Sequence, residues 1–230
     1  MYSLIQRMYS DTVKTCPTRT TWGPRMTQAA VVDGLGPRLR LVREERGLSA
    51  RELARRVGCS ASLISQIERG ISAPSVGVLY ALATELSASL DYLFGVDPGP
   101  DVPPQMPAGA LPDGHGIIQH AASRAVIDLA SGVRWERLTS QRDDRADFLE
   151  VIYEPGGHST DERRPLRHDG YEYGLILSGT LQATVGFERL ELGPGDSIAF
   201  DSSIPHEYGN RTGHDVRAVW VVIHTEPGRA

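Results

Sequence analysis

Two cysteines are all that the 230 residues contain. Cys16 and Cys59 lie in unlike segments, so neither a disulfide framework nor a zinc-finger spacing is available, and a reducing cytoplasm is the compartment that fits. Long apolar runs are missing as well. No stretch approaches the roughly 18 residues that a membrane helix needs, and the opening MYSLIQRMYS has no apolar core of the signal-peptide kind. The expectation is a soluble, cytoplasmic chain with no membrane partner. A uniformly basic surface is also lacking, because the formal net charge is −5. The charge is unevenly spread: Arg and Lys number 4 against 2 acidic residues in 1–34, 8 against 6 in 35–95, 0 against 2 in 96–112, and 12 against 19 in 113–230. The N-terminal part is mildly basic and the C-terminal part acidic.

What is present divides the chain, and its length already favours two domains over one. Residues 1–34 show no clear period and read as a mobile tail, in which Met26 competes with Met1 as the start. Residues 35–95 carry helical spacing in short blocks separated by Gly, Ser or Pro. Residues 96–114 hold so much Pro and Gly that neither helix nor ladder can persist, which makes them a linker. Residues 115–230 run as short strand-like segments, AVIDLA, VRWERLTS, FLEVIYEP, YEYGLILSG, LQATVG, ERLEL, DSIAFD and RAVWVVIH, punctuated by PGG, SG, GPGD and NRTG. That rhythm predicts an antiparallel sandwich or barrel. The fold class expected is therefore two domains, all-α and then all-β.

In LSARELARRVGCSASLISQIERG, Ser49 and Glu52 have capping-box spacing and start a helix that Gly58 ends. Ser60 caps a second helix over 60–69, with Leu63, Ile64 and Ile67 facing inward and Gly70 turning the chain. The tight junction and the small Ala54 at the crossing fit a helix-turn-helix, against which stands a helical hairpin that merely packs. Across 38–95 the sequence closely resembles the five-helix DNA-binding domain of the XRE, or lambda-repressor-like, family, through GLSARELA, SQIERG, the APS before the fourth helix and the closing LDYLF. The resemblance implies that 60–69 lies in the major groove of double-stranded operator DNA. Ala61, Ser62, Ser65, Gln66 and Arg69 then face outward, with Gln66 the best base reader because its carboxamide matches adenine N6 and N7. Arg51, Ser60 and Arg69 suit phosphates, although any single arginine can equally be a solvated charge. The family pattern also implies an Arg43–Glu68 ion pair. A net of +2 over 35–95 is low for a DNA binder, which favours a homodimer on a palindromic site.

In RHDGYEYGLILSG, read as a strand, alternation puts His168, Gly170, Glu172, Gly174 and Ile176 on one face and Tyr171, Tyr173, Leu175 and Leu177 on the other. Glycines beside Glu172 suggest open volume around its carboxylate. This stretch and GPGDSIAFDSSIPHEYGN resemble the two motifs of cupins, small jelly-roll barrels. Glu172 and Gly179 match the first motif, and Gly195, His206 and Asn210 match the second. The resemblance implies a pocket for a small-molecule effector at His168, Glu172 and His206, where the family binds a metal. Leu166 occupies the usual first-histidine place, and Asp201 and Ser203 replace the usual Pro and Gly. Two histidines and a carboxylate remain, a set that suits Fe, Zn or Ni, or a metal-free polar site. His115, His120, His158, His214 and His224 read as ordinary exposed or edge residues. Tyr171, Tyr173 and Trp220 read as packing or dimer-face residues. Arg163, Arg164 and Arg167 form a basic loop.

The fused pair resembles bacterial regulators in which a cupin senses a metabolite, and that implies a non-enzymatic transcriptional regulator. The competing reading is a non-haem Fe(II) oxidase or epoxidase, because the hydroxypropylphosphonate epoxidase family joins the same two domain types over a similar triad. That family uses a lysine of its helical domain near the substrate, whereas the one lysine here is Lys14. A cupin scaffold with no ligand is a third reading, though it would leave a costly buried carboxylate.

Overall fold

A computed structural model of the chain describes residues 34–95, 117–143, 145–160 and 165–224. The tail expected over 1–34, apart from Gly34, and the linker expected over 96–114 lie outside these residues, as do His115, Arg163 and Arg164.

Among the described residues five helices come first: α1 (Leu35–Glu45), α2 (Ala50–Val57), α3 (Ala61–Glu68), α4 (Val76–Glu85) and α5 (Leu90–Phe94). Serine side chains begin four of them. Ser49, Ser60, Ser75 and Ser89 stand in extended backbone and accept from the N–H of Glu52, Leu63, Val78 and Tyr92. Such a cap stabilises a helix by about 1 kcal/mol. Only half of the expected capping box forms at α2: the Glu52 carboxylate turns instead to Arg55 and Arg56, at 2.7 and 2.8 Å. Gly58 closes α2 at φ 77, a left-handed conformation that a side chain would strain. The expected helix over 60–69 is one residue shorter at each end, because Ser60 and Arg69 serve as its caps. Leu39, Leu53, Ile64, Leu79, Leu82 and Leu93 are fully buried between the helices. Arg43 and Glu68 make the implied pair, bidentate at 2.5 and 3.0 Å, while Arg43 also donates to Leu48 O.

A 3-10 turn at Ala121–Ser123 leads into nine strands: β1 (Val126–Leu129), β2 (Val133–Arg137), β3 (Ala146–Tyr153), β4 (Tyr171–Ser178), β5 (Leu181–Val185), β6 (Glu188–Leu192), β7 (Ser197–Asp201), β8 (His206–Gly209) and β9 (Val216–Ile223). They form a six-stranded sheet ordered β1-β2-β3-β9-β4-β7 and a three-stranded sheet ordered β6-β5-β8. Every pairing is antiparallel. Strand β8 is the element that sequence reading leaves unassigned. Four residues behind a proline give too short an alternation to register, yet His206 and Tyr208 point inward from it.

The two units share one apolar core, running from Leu35 through α4 and α5 into Ile127, Trp135 and the barrel interior. Among the described residues, several contacts fasten the helices to the barrel. Ala130 N donates to Pro74 O at 3.0 Å just before α4. Asp91 of α5 meets Arg137 of β2 at 2.5 and 2.9 Å, both side chains buried, and also accepts from Asp143 N at 2.7 Å. Tyr80 of α4 packs edge-on against Trp135.

Candidate functional site

Between the two sheets, His168, Glu172 and His206 converge, each offering a ligand atom within 4.8 Å of the others. Alternation along β4 turns Glu172 inward and leaves it 4% exposed. His206 opens β8 on the facing sheet. His168 is not on a strand, contrary to the sequence reading. It sits in the loop before β4, held by Leu166–His206 backbone bonds at 2.8 and 3.0 Å and by its own N–H to Ser202 O. The loop reaches the same place that the strand was expected to supply.

One oxygen of Glu172 accepts from the Tyr208 hydroxyl at 3.0 Å. The other lies 2.8 Å from His168 Nε2 and 3.2 Å from His206 Nε2. These distances suit hydrogen bonds but the directions do not, and both Nε2 atoms are buried without a hydrogen-bond partner. The opposite ring nitrogens explain the orientation: His206 Nδ1 faces Ile204 O at 2.8 Å and His168 Nδ1 faces Asp169 O at 3.2 Å. A carbonyl only accepts, so each Nδ1 carries a hydrogen, and a ring without a second proton turns an Nε2 lone pair toward the carboxylate. Lone pairs facing a carboxylate need a positive charge among them, either a proton on one ring or a metal ion. The donor set therefore fits a divalent cation. Burial raises the Glu172 carboxyl, whereas hydrogen bonding from and positive charge on the adjacent His168 and His206 lower it, to about 2.

The surrounding cavity is about 30 Å³ and is lined largely by rings, Tyr80, Trp135, Tyr153, Tyr208 and Trp220. One sequence expectation changes here. The glycines flanking Glu172 do not create open space: a Cβ on Gly174 would lie 2.2 Å from the Trp220 indole, and one on Gly170 would lie 2.5 Å from Ile223 O. They are gaps already filled by Trp220 and by backbone. Of the residues read as packing or dimer-face residues, Trp220 is buried and packs in the cavity wall, whereas Tyr171 and Tyr173 are exposed on the outer face. Leu166 lines the same cavity, so the usual first-histidine place is apolar. Asn210 is buried and ties the turn after β8 to Tyr153 O and His214 O. His120 and His214 are exposed, His158 is half-buried against Thr160 O, and His224 reaches Asp147 at 3.0 Å. Arg167 is exposed and donates to Ser203 O. Sequence reading missed Tyr208 and Tyr80. The first was findable, two residues after His206 on the same face of a strand; nothing local marks the second.

On the helical unit, Arg51, Ser60, Ser62 and Arg69 are exposed, while Ala61, Ser65 and Gln66 are half-buried. Gln66 Nε2 lies 3.5 Å from Ser62 Oγ one turn earlier, which groups the two polar heads. Ser60 Oγ is engaged in capping, and Arg69 Nε folds back to Ser65 O at 3.0 Å. Among the described residues no helix is long and apolar enough to cross a membrane.

Comparison with known proteins places names beside this geometry. The helix-turn-helix family model matches residues 39–93 and the cupin domain model matches residues 149–222. The HTH-type transcriptional regulator PuuR of Escherichia coli (strain K12) is 28% identical over 180 residues, which cover 77% of this chain and 89% of that one. The HTH-type transcriptional regulator SutR of the same organism is 24% identical over 176 residues, covering 76% and 86%. A crystal structure of an HTH_3 family transcriptional regulator from Vibrio cholerae superimposes with a TM-score of 0.57 at 22% identity, covering 84% of this chain and 96% of that one. The chain therefore carries an XRE-type helix-turn-helix domain followed by a cupin domain.

Proposed function

We propose that the protein is a cytoplasmic, sequence-specific DNA-binding transcriptional regulator whose barrel binds a small-molecule effector and thereby alters operator affinity. The observation that carries this reading is that its likeness to named transcriptional regulators spans both units rather than one. Helix α3 reads the major groove: Gln66 contacts a base edge, with Ala61, Ser62 and Ser65 beside it. Arg51, Ser60 and Arg69 hold phosphates and set the register. The oxidase reading is set aside because PuuR and SutR, whose likeness spans both units, are named as transcriptional regulators.

His168, Glu172 and His206 bind the effector, directly or through a divalent ion of the Fe, Zn or Ni group. Such an ion would supply a Lewis-acid anchor for an effector oxygen or nitrogen. The chain's own contribution is the orientation of both rings, held at Nδ1 by backbone carbonyls, and a cavity lined largely by aromatic side chains. The molecule works as a homodimer through the outer face of the six-stranded sheet. There Phe148, Tyr171, Tyr173, Leu175, Leu177 and Ile223 are exposed, and a row of large apolar residues on one face marks an interaction surface.

The test begins with selection of the operator from random duplex DNA by the full chain. Gln66→Ala should then lose about 1–3 kcal/mol of discrimination at one base pair. Arg69→Ala should weaken binding to all sequences and reduce the salt slope by about 1. A chain that selects no sequence removes the regulator reading. Elemental mass spectrometry of untagged protein checks the metal: near-stoichiometric content, lost in a His168→Ala, Glu172→Ala variant, assigns the triad as the ligand set.

A further inference from the structure

The barrel cavity has a wall that does not belong to the barrel. Tyr80 and Val76 reach it from α4, in the DNA-binding unit. The Tyr80 ring lies flat on the His168 imidazole, with centroids 4.5 Å apart and planes 7° apart, and its edge meets Trp135. Under it the His168 side chain is only 7% exposed. Gly77, next to Val76, lets the helix close this far, since a Cβ there would lie 3.2 Å from Leu166 Cδ2. With α4 seated, the space left is about 30 Å³. A single water takes about 10–15 Å³ by such a measure, so an ion with a water fits and an organic molecule does not.

We propose that Tyr80 is the movable wall of this pocket, so that an organic occupant and the docked helical domain compete for one volume. Of the remaining walls, Trp135, Leu149, Val151, Tyr153, Tyr208 and Trp220 are inward residues of paired strands that cannot yield without breaking the ladders, and Ser159 and Leu166, outside the strands, are tied to β8 by backbone bonds to Tyr208 and His206. Helix α4 is held by fewer ties, chiefly the Pro74 carbonyl and the Asp91–Arg137 pair on either side of it. An occupant of about the size of a phenol ring takes the slot between Trp135 and His168 and lifts α4 away. Helix α3, packed through α1 and α2 in the same unit, moves with it, and this supplies the differential contact that any ligand-driven switch requires. The regulatory use rests on the function proposed above; the wall itself does not.

The first measurement is diethyl pyrocarbonate labelling of metal-free, full-length protein, with each histidine resolved by peptide mass spectrometry. His168 should react at least about tenfold more slowly than exposed His120 and His214 in the wild type. In Tyr80→Ala it should approach their rate, while His206 stays protected, and Tyr80→Phe should keep the protection because the ring provides it. Should Tyr80→Ala fail to fold, Tyr80→Leu keeps the helix and apolar volume while removing the ring. The second measurement is calorimetry with p-cresol, which should bind the Tyr80→Ala or Tyr80→Leu protein at least about tenfold more tightly than the wild type by filling the vacated slot. His168 reacting as fast as His120 in the wild type, or p-cresol binding unchanged by either substitution, overturns the proposal. Labelling requires neither operator nor effector. An effector later found to bind the barrel without changing operator affinity would remove the sensor reading and leave the wall in place.

Discussion

Gly174 shows how a single residue can mislead by chemistry and be corrected by its neighbour. A strand glycine beside a carboxylate reads as room for a ligand, but its missing side chain is where the Trp220 indole sits. Gly174→Ala should therefore destabilise the fold by about 1–3 kcal/mol in chemical denaturation, since overpacking forces the indole off its position. In a double-mutant cycle with Trp220→Phe the two effects should be less than additive. The Arg43–Glu68 pair can be tested in the same way. Both side chains are largely buried, so Glu68→Ala leaves the guanidinium with only the more distant Glu44 carboxylate and the Leu48 carbonyl and should cost about 2–3 kcal/mol, whereas replacing both partners by apolar residues should recover much of that. The pair was legible only through family resemblance, because nothing in the local spacing of residues 25 apart joins them.

At the scale of elements, the sequence carries most of the answer. Helix ends are written in serines and glycines whose roles are local, so α2 and α3 fall within a residue of expectation. Alternation along β4 fixes Glu172 inward and the tyrosines outward over the whole strand. What escapes is whatever depends on a distant partner. His168 reaches the site by loop geometry set by Ser202 and His206, not by strand periodicity, and β8 exists because β5 pairs with it. The outer face of β4 gives a prediction at this scale. Tyr173→Asp with Leu175→Arg should convert a dimer to a monomer in sedimentation experiments, with the far-ultraviolet spectrum unchanged, since exposed positions tolerate charge unless a partner covers them.

For the whole molecule, sequence reading draws a boundary in the proline-rich stretch after Gly95, and the two-domain plan it implies is the plan seen. It does not foresee that α4 and α5 pack into the barrel's core. Composition can separate segments, but docking is decided by side chains brought together over distances such as the 46 residues between Asp91 and Arg137. Breaking that pair is the sharpest test of the docking. Asp91→Ala leaves Arg137 buried, with only carbonyl partners, and should cost about 3–5 kcal/mol. The helical and barrel signals, followed by far-ultraviolet circular dichroism and by Trp135 and Trp220 fluorescence, should coincide in one transition in the wild type and separate in the variant.

The shared core also dictates how such a protein can be recombined. Exchanging the whole helical unit for that of another regulator would discard the Tyr80 ring and the Asp91 carboxylate together, leaving Arg137 stranded and His168 uncovered. A graft limited to the turn and the two helices around it, α2 and α3, would change the DNA sequence read while α4 and α5 stayed with the barrel they fit. The practical seam for building hybrid regulators thus falls between Arg69 and Ser75, ahead of α4, rather than in the proline-rich segment where composition would place it.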